Sequence, residues 1–459
     1  MKAIILLSSL GIVTMLAGLF LSKRSLLPII IAGLLGTLVA NIIDWGSAQT
    51  SFYSDMVNFD HYAVAFAGLL IIISILIFIL SGENFKNIHH HLEDNYALML
   101  FALTGAVLMV SFGNLVMFFI GIETLSISLY ILAGSRKNDA GSNEASLKYF
   151  LMGSFASGIL LFGMVLMYGS CGSFNLKLIS AFTGSHVGTL PTMFQIGALL
   201  MIVGIAFKVS VVPFHFWTPD VYQGSPTLIT TMMASVVKIA GFASLFRLFY
   251  YGFGTGMENI LLILAILSAV TMSLGNLTAT FQSSFKRMLA YSSIAHAGYI
   301  LIAVIAMKQS SGSAILYYTA AYSIATIGAF TALMVIQKLG KGDGIEHFNG
   351  LAASNKVFAL TTTIAMLSLA GIPITAGFFG KYYIFTTAAA SGLTWLVIIA
   401  VLNSAIGVYY YFKVIIAMYF NPSREIKLNF PPLYKFILIT TALISLAMGI
   451  VPGIIVSLF

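Results

Sequence analysis

The stretch AFKVSVVPFHFW, Ala206 to Trp217, puts a lysine, Lys208, and a proline, Pro213, inside an otherwise apolar run. A charge at bilayer depth costs at least about 2.5–3.5 kcal/mol on insertion scales, so a lysine kept there needs a role, and ion or proton handling is the usual one. Pro213 removes a backbone donor, and its ring collides with the carbonyl of residue 209, one position past the lysine. Interrupted helices at membrane depth free carbonyls that hold water or ions, as in transporters.

The rest of the chain makes this depth the natural reading. Of 459 residues, 59% are hydrophobic and 8% charged, with a mean hydropathy of +1.00. Soluble domains carry about a quarter of their residues as charges. The composition therefore excludes a soluble enzyme and predicts an all-α, polytopic membrane protein. The net charge of +8 is spread too thinly for a nucleic-acid surface, and basic loops facing anionic lipid account for it. Cys171 is the single cysteine, which excludes a disulfide framework and a cysteine-based metal or iron–sulfur site. Residues 1–22 are read as a first membrane helix, because Lys23–Arg24 follows the apolar run and no A-x-A cleavage pattern is present. Glycine-rich stretches are helix contacts, since no G-x-G-x-x-G follows a strand. His89, His90 and His91 are expected in a solvated loop.

A membrane span needs about 20 apolar residues. Segmentation on that basis predicts about 14 transmembrane helices, at 2–22, 27–43, 62–81, 95–112, 114–134, 147–169, 192–219, 226–250, 258–280, 286–307, 313–337, 357–386, 393–420 and 434–456. A very tight turn at Phe112–Gly113 must separate the fourth from the fifth. With the N-terminus on face A, the loops of face B hold thirteen basic residues: Lys23, Arg24, Lys86, Arg136, Lys137, Lys286, Arg287, Lys338, Lys341, Lys356, Arg424, Lys427 and Lys435. Face A holds three: Lys2, Lys177 and Lys308. The positive-inside rule makes face B cytoplasmic and puts both termini on the outer side.

Six basic residues remain within helices. Arg247 and Lys413 sit near helix ends and are expected to snorkel to the interface. Lys148, Lys208, Lys238 and Lys381 do not have that route so plainly, although Lys148, opening the sixth helix, is partly interfacial. Glu123 is the one acidic residue deep in a helix, and Ser126 and Tyr130 share its face. His296 shares a face with Ser292 and Tyr299. A lone Lys–Glu pair could be structural, but four lysines to one glutamate do not pair off, and the surplus favours proton or cation handling. Gly371 and Pro373 interrupt the twelfth helix ahead of Lys381, as Pro213 interrupts the seventh. Helices 4–8 and 9–13 are two five-helix sets, which an odd count inverts, with the broken helices 7 and 12 at the same rank. This is the layout of two inverted repeats. It gives residues 1–94 as helices 1–3, 95–250 and 258–420 as the repeats, and 421–459 as the last helix.

The strings EASLKYFLMGSFASG (144–158), AFKVSVVPFHFWTPDVYQGSPT (206–227), FKRMLAYSSIAHAGY (285–299) and SLAGIPITAGFFGKYYIF (368–385) resemble the antiporter-like subunits of respiratory complex I. The resemblance runs from about Ala97 to Met418, and the chain ends without the long lateral helix of the largest member. It implies a membrane-arm subunit that helps move protons while the complex oxidises NADH and reduces quinone. Glu123, Lys208, Lys238 and Lys381 match the family's charged positions on helices 5, 7, 8 and 12. Lys148 matches a further lysine, and His296 falls on the central polar axis. The resemblance also implies no redox cofactor in this chain, with NADH, FMN, iron–sulfur clusters and quinone in other subunits. The implied partners are other membrane-arm subunits, antiporter-like paralogues among them, and the lipid bilayer.

At a separation of about 7 Å and an effective dielectric of about 20, Glu123 would favour protonated Lys208 by about 2.4 kcal/mol. Moving or neutralising the carboxylate would release a proton toward Lys238 and, through His296, Lys381. Two other functions suit the same charges: a subunit of a multi-subunit cation/proton exchanger or membrane hydrogenase, and a non-pumping scaffold. NADH-dependent quinone reduction by the purified complex separates the first from complex I, and tolerance of neutral substitutions at the charged positions would mark the second.

Overall fold

The computed structural model describes residues 1–20, 22–46, 50–86, 91–254, 257–422 and 430–453. His89 and His90, with Arg424 and Lys427, lie outside them. In chain order come α1 (Lys2–Ala17), α2 (Lys23–Trp45), a hairpin of β1 (Thr50–Phe52) and β2 (Val57–Phe59), α3 (His61–Asn84), α4 (Leu92–Ser111), α5 (Leu115–Ala133) and α6 (Ala140–Cys171). The short α7 (Leu176–Ser185) precedes α8 (Thr192–Lys208), α9 (Trp217–Gly224) and α10 (Thr227–Arg247), the last running into a wider turn over Leu248–Phe253. Then follow α11 (Glu258–Thr280), α12 (Phe285–Ala306), α13 (Gln309–Lys338), α14 (Leu351–Ser354), α15 (Lys356–Ala370), α16 (Ala376–Ala389), α17 (Thr394–Phe420) and α18 (Pro432–Ile450).

Among the described residues, eleven helices are long and apolar enough to cross a membrane, and α1, α8 and α15 are shorter apolar helices. Those three occupy the expected first, seventh and twelfth segments. The last two are short because the chain breaks where Pro213 and Pro373 predict: α8 stops at Lys208 and resumes as α9 at Trp217, while α15 stops at Ala370 and resumes as α16 at Ala376. The sixth helix begins at Ala140 rather than 147, because the Asp139 carboxylate caps it by accepting from the Gly141 and Ser142 amides. Neither the hairpin nor α7 was expected; both lie in stretches too short or too polar to span.

The hairpin explains how the chain turns at Phe112–Gly113. Val57 bridges Phe112, and the Gly113 amide donates to the Met56 carbonyl at 2.9 Å. Arg247 closes the same corner. It is 2% exposed, pairs with Asp60 at 2.9 Å, and donates Nε to the Phe112 carbonyl at 2.7 Å. The expectation that Arg247 snorkels is thus overturned: the guanidinium has a carboxylate and a turn carbonyl inside, so it has no need to reach water. Removing the carboxylate would strand a buried charge. Asp60→Ala should therefore destabilise the protein by about 3 kcal/mol. Thermal unfolding of the detergent-purified complex checks it, and an unchanged midpoint would show the pair to be dispensable.

Helices α10 and α13 are buried along their apolar length and α12 nearly so, whereas α2, α6, α11, α17 and α18 keep much of their apolar surface outward. Small residues let the layers meet: a Cβ on Gly163 of α6 would lie 2.6 Å from the Gly197 carbonyl of α8, a membrane-type close crossing. Two short clasps recur. Leu115 donates to the Phe174 carbonyl and Leu176 to that of Gly113, bridging Asn114 to Asn175; Phe285 donates to Asp343 and Ile345 to Ser283, bridging Ser284 to Gly344. Each clasp ties the start of one helix (α5 or α12) to the loop two helices on.

Candidate functional site: a buried lysine axis

The two helix breaks organise the polar interior. Pro213 displaces the Val209 carbonyl from helical bonding, and Lys238 of α10 takes it: Nζ donates to Val209 O at 2.6 Å and to Ser293 O of α12 at 3.2 Å. In the second break Lys381 of α16 donates to Ala370 O, the last carbonyl of α15, and to Ser404 Oγ of α17, both at 2.7 Å. Gly371 makes room for that ammonium, since a Cβ there would stand 2.8 Å from Lys381 Cδ, and its φ of +84° suits glycine. The partial negative charge of a helix carboxyl end favours a cation. The lysines left over in the sequence count therefore do have counter-charges, and these are backbone dipoles.

Lys208 has a different setting. Its Nζ donates to Tyr130 Oη at 2.8 Å and lies 5.1 Å from the Tyr130 ring centre and 6.0 Å from that of Tyr149. Tyr149 stacks on Trp217 at 4.6 Å, and Trp217 Nε1 donates to Phe207 O at 2.9 Å, stitching the two ends of the break together. Glu123 acts on Lys208 and on Tyr130 through space but forms no ion pair with Lys208 within 4.0 Å among the described residues. One Glu123 oxygen, Oε1, is buried without a hydrogen-bond partner. The two charges, expected about 7 Å apart, thus act on each other through space, while the Tyr130 phenol, with Ser126 beside it on the same helix, takes the lysine's hydrogen bond. Gly153 admits that phenol, for a Cβ there would meet Tyr130 Oη at 2.0 Å.

His296 stands between the two lysine-capped breaks. Its Nδ1 meets Tyr318 Oη at 2.7 Å and its Nε2 meets Tyr411 Oη at 3.1 Å, and the Tyr411 phenol is hydrogen-bonded to Ser292. Both Lys238 and Lys381 act on the imidazole electrostatically. A void of about 10 Å³, lined by His296, Tyr318, Tyr322, Ser368 and Gly377, joins it to the second break; this is room for about one water. Beyond it Lys381 borders a cleft of about 530 Å³ between α16 and α17.

The structure thus brings Glu123, Lys208, Lys238, His296 and Lys381 into one interior band and leaves Lys148 outside it. Lys148, 41% exposed, pairs with Glu144 at 2.7 Å and Asp220 at 3.0 Å, and Arg287 holds the other Asp220 oxygen at 3.0 Å. Burial would raise the Asp220 carboxyl, but hydrogen bonds from Lys148 and Arg287 more than offset it and hold it below the usual carboxylate range. Sequence reasoning missed Lys286. It was assigned to a face-B loop, yet it is 3% exposed on the first turn of α12. Its Nζ donates to Gln223 O at 3.1 Å and Ser225 O at 2.5 Å, at the carboxyl end of α9. Its neighbour Arg287 is 29% exposed, and nothing in the spacing of the two basic residues from the Ser284 cap tells the buried one from the exposed one.

An all-α membrane protein with two broken helices and a buried lysine axis has the architecture of antiporter-like membrane subunits, and comparison bears this out. Residues 112–407 match the family model described as NADH:quinone oxidoreductase/Mrp antiporter, transmembrane. The chain is 40% identical over 458 residues to NADH-quinone oxidoreductase subunit N of Flavobacterium psychrophilum, covering 100% of both. It is 41% identical over 462 residues to that of Cytophaga hutchinsonii, covering 100% of this chain and 99% of the other. A chain of respiratory complex I from Thermus thermophilus superposes with a TM-score of 0.85 at 32% identity over 99% of this chain and 98% of that one. A chain of the Mrp complex of Dietzia shares the fold, with a TM-score of 0.86 at 19% identity over 99% and 94%. The chain belongs to the NADH-quinone oxidoreductase subunit N family.

Proposed function

We propose that this chain is a proton-translocating membrane-arm subunit of an NADH:quinone oxidoreductase, working beside other membrane-arm subunits that include antiporter-like paralogues. It relays protons along Glu123, Lys208, Lys238, His296 and Lys381, with Lys148 at the face-B margin. NADH oxidation and quinone reduction occur on cofactors held by other subunits. Helices 4–8 and 9–13 are the two inverted repeats, and face B, where basic residues concentrate, is cytoplasmic.

The observation that carries the reading is the grip of Lys238 and Lys381 on the carbonyls freed by the two breaks. A lysine held by neutral carbonyls can gain or lose its proton without abandoning a carboxylate, so small movements of the break change how firmly the proton is held. Glu123 influences Lys208 through space without a salt bridge, and Tyr130 takes the lysine's hydrogen bond. Glu123→Gln keeps the volume and removes the charge. It is expected to lower NADH-driven proton uptake several-fold in reconstituted complex while the membrane arm assembles normally. Failure of assembly with pumping intact in what does assemble would favour a purely structural carboxylate.

A further inference from the structure

Lys286 is a buried cation that the relay above does not use. Among the described residues it forms no ion pair, and Arg136, Asp343 and Asp139 act on it only through space. An ammonium has three donors, and two of them are spent on the Gln223 and Ser225 carbonyls. On its outer side, Gln223 and Gly224 line a charged cleft of about 220 Å³ together with Glu144, Lys148 and Asp220. On its inner side, Ser293 lies seven residues further along α12, on the same helix face and roughly 10 Å away along the axis.

The groups between are hydroxyls. Ser225 Oγ is buried without a hydrogen-bond partner, and Ser293 Oγ stands close enough to the phenols of Tyr222 and Tyr322 to act on both as a hydrogen-bond partner. A buried hydroxyl left open, as Ser225 Oγ is, is a station for bridging water, and a hydroxyl shared with phenols can pass a proton along. The far end of the row is Lys238, which donates to the Ser293 carbonyl at 3.2 Å. A cleft, a buried lysine with one free donor, the open Ser225 hydroxyl, the Ser293 hydroxyl among its phenols and a second lysine therefore stand in sequence from face B to the axis.

We propose that Lys286 is a proton-relay station that admits protons from the Glu144–Lys148–Asp220 cleft to Lys238. The inference rests on the proton-relay reading of the axis. In the step itself, an N–H bond of the Lys286 ammonium breaks and its electron pair stays on Nζ. The proton crosses by way of water and the Ser293 hydroxyl and forms an N–H bond on neutral Lys238. Lys286 then takes a proton from water in the cleft.

The alternative is that Lys286 merely caps α9, and the conservative variant distinguishes the two. Arginine keeps the charge and the donors for both carbonyls but cannot be deprotonated in a protein. In reconstituted, fully assembled complex, Lys286→Arg should lower NADH-driven proton uptake at least tenfold, and Ser293→Ala several-fold. Wild-type uptake by Lys286→Arg overturns the proposal. If that variant fails to assemble, Ser293→Ala decides, because it removes only a hydroxyl shared with the Tyr222 and Tyr322 phenols and leaves both lysines in place, and wild-type uptake there likewise overturns it. Lys238→Arg is the control: loss there with normal Lys286→Arg uptake sinks the inlet alone, while wild-type uptake in both sinks the axis reading as well.

Discussion

Lys208→Ala is expected to reduce NADH-driven proton uptake by more than tenfold while leaving the membrane arm assembled. The two halves of this expectation have separate physical grounds. On the structural side, the substitution removes one hydrogen bond, from Nζ to Tyr130 Oη, and such charge-assisted bonds contribute about 1.5–3 kcal/mol. It also removes the cost of holding a charge at depth, at least about 2.5–3.5 kcal/mol, so the two nearly cancel. The break itself persists, since Pro213 and the Trp217–Phe207 bond do not depend on the lysine. On the functional side nothing nearby replaces the ammonium: Phe207 offers a ring, and Tyr149 and Tyr130 offer neutral phenols that do not carry an extra proton. Proton uptake and NADH:quinone activity measured on the same preparation check this. Normal uptake with normal assembly would remove Lys208 from the path.

Lys381→Met should have an effect of similar size in the second half of the chain. The variant leaves the Ala370 carbonyl and Ser404 hydroxyl without their donor, and an orphaned buried polar group costs about 1–3 kcal/mol. Here the loss is softened, because both groups border the open cleft between α16 and α17 where water can reach them. Assembly is expected to hold and uptake to fall more than tenfold. Lys381→Arg should be equally inactive, because its guanidinium caps the helix yet keeps its proton. If arginine restores uptake, capping and not proton transfer is what the position supplies.

Much of this was legible in the sequence, and the reasons differ by element. Hydropathy located the helical segments because each must bury or present about 20 apolar residues. Pro213 and Pro373 located the breaks because a missing donor and a ring clash are local facts. Partners across space were not legible. That Lys238 grips Val209 depends on how α10 packs against the break. That Arg247 meets Asp60, 187 residues away, depends on a hairpin whose strands are three residues long. The burial of Lys286 is invisible to charge counting, which treats a basic residue at a helix start as solvated whatever packs against it. The sequence places Glu123 and Tyr130 on one helix face, but that Tyr130 takes the hydrogen bond of Lys208 depends on how α5 and α8 meet.

The two backbone clasps also act as a ruler. Asn114 and Ser284 are 170 residues apart, and their partners Asn175 and Gly344 are 169 apart, so the span from clasp to clasp has kept its length to within one residue. The breaks have not kept step: α8 ends at Lys208 and α15 at Ala370, 162 residues apart. Lys208 ends the helix before the first break, whereas Lys381 begins well inside the helix after the second, and the lysine that answers it geometrically is Lys238, on a neighbouring helix. Lys208 and Lys381, 173 residues apart, stay within about one helical turn of the clasp offset. An alignment of the halves anchored on the clasps would therefore nearly superpose these lysines, while setting the first break against α16, past the end of the second.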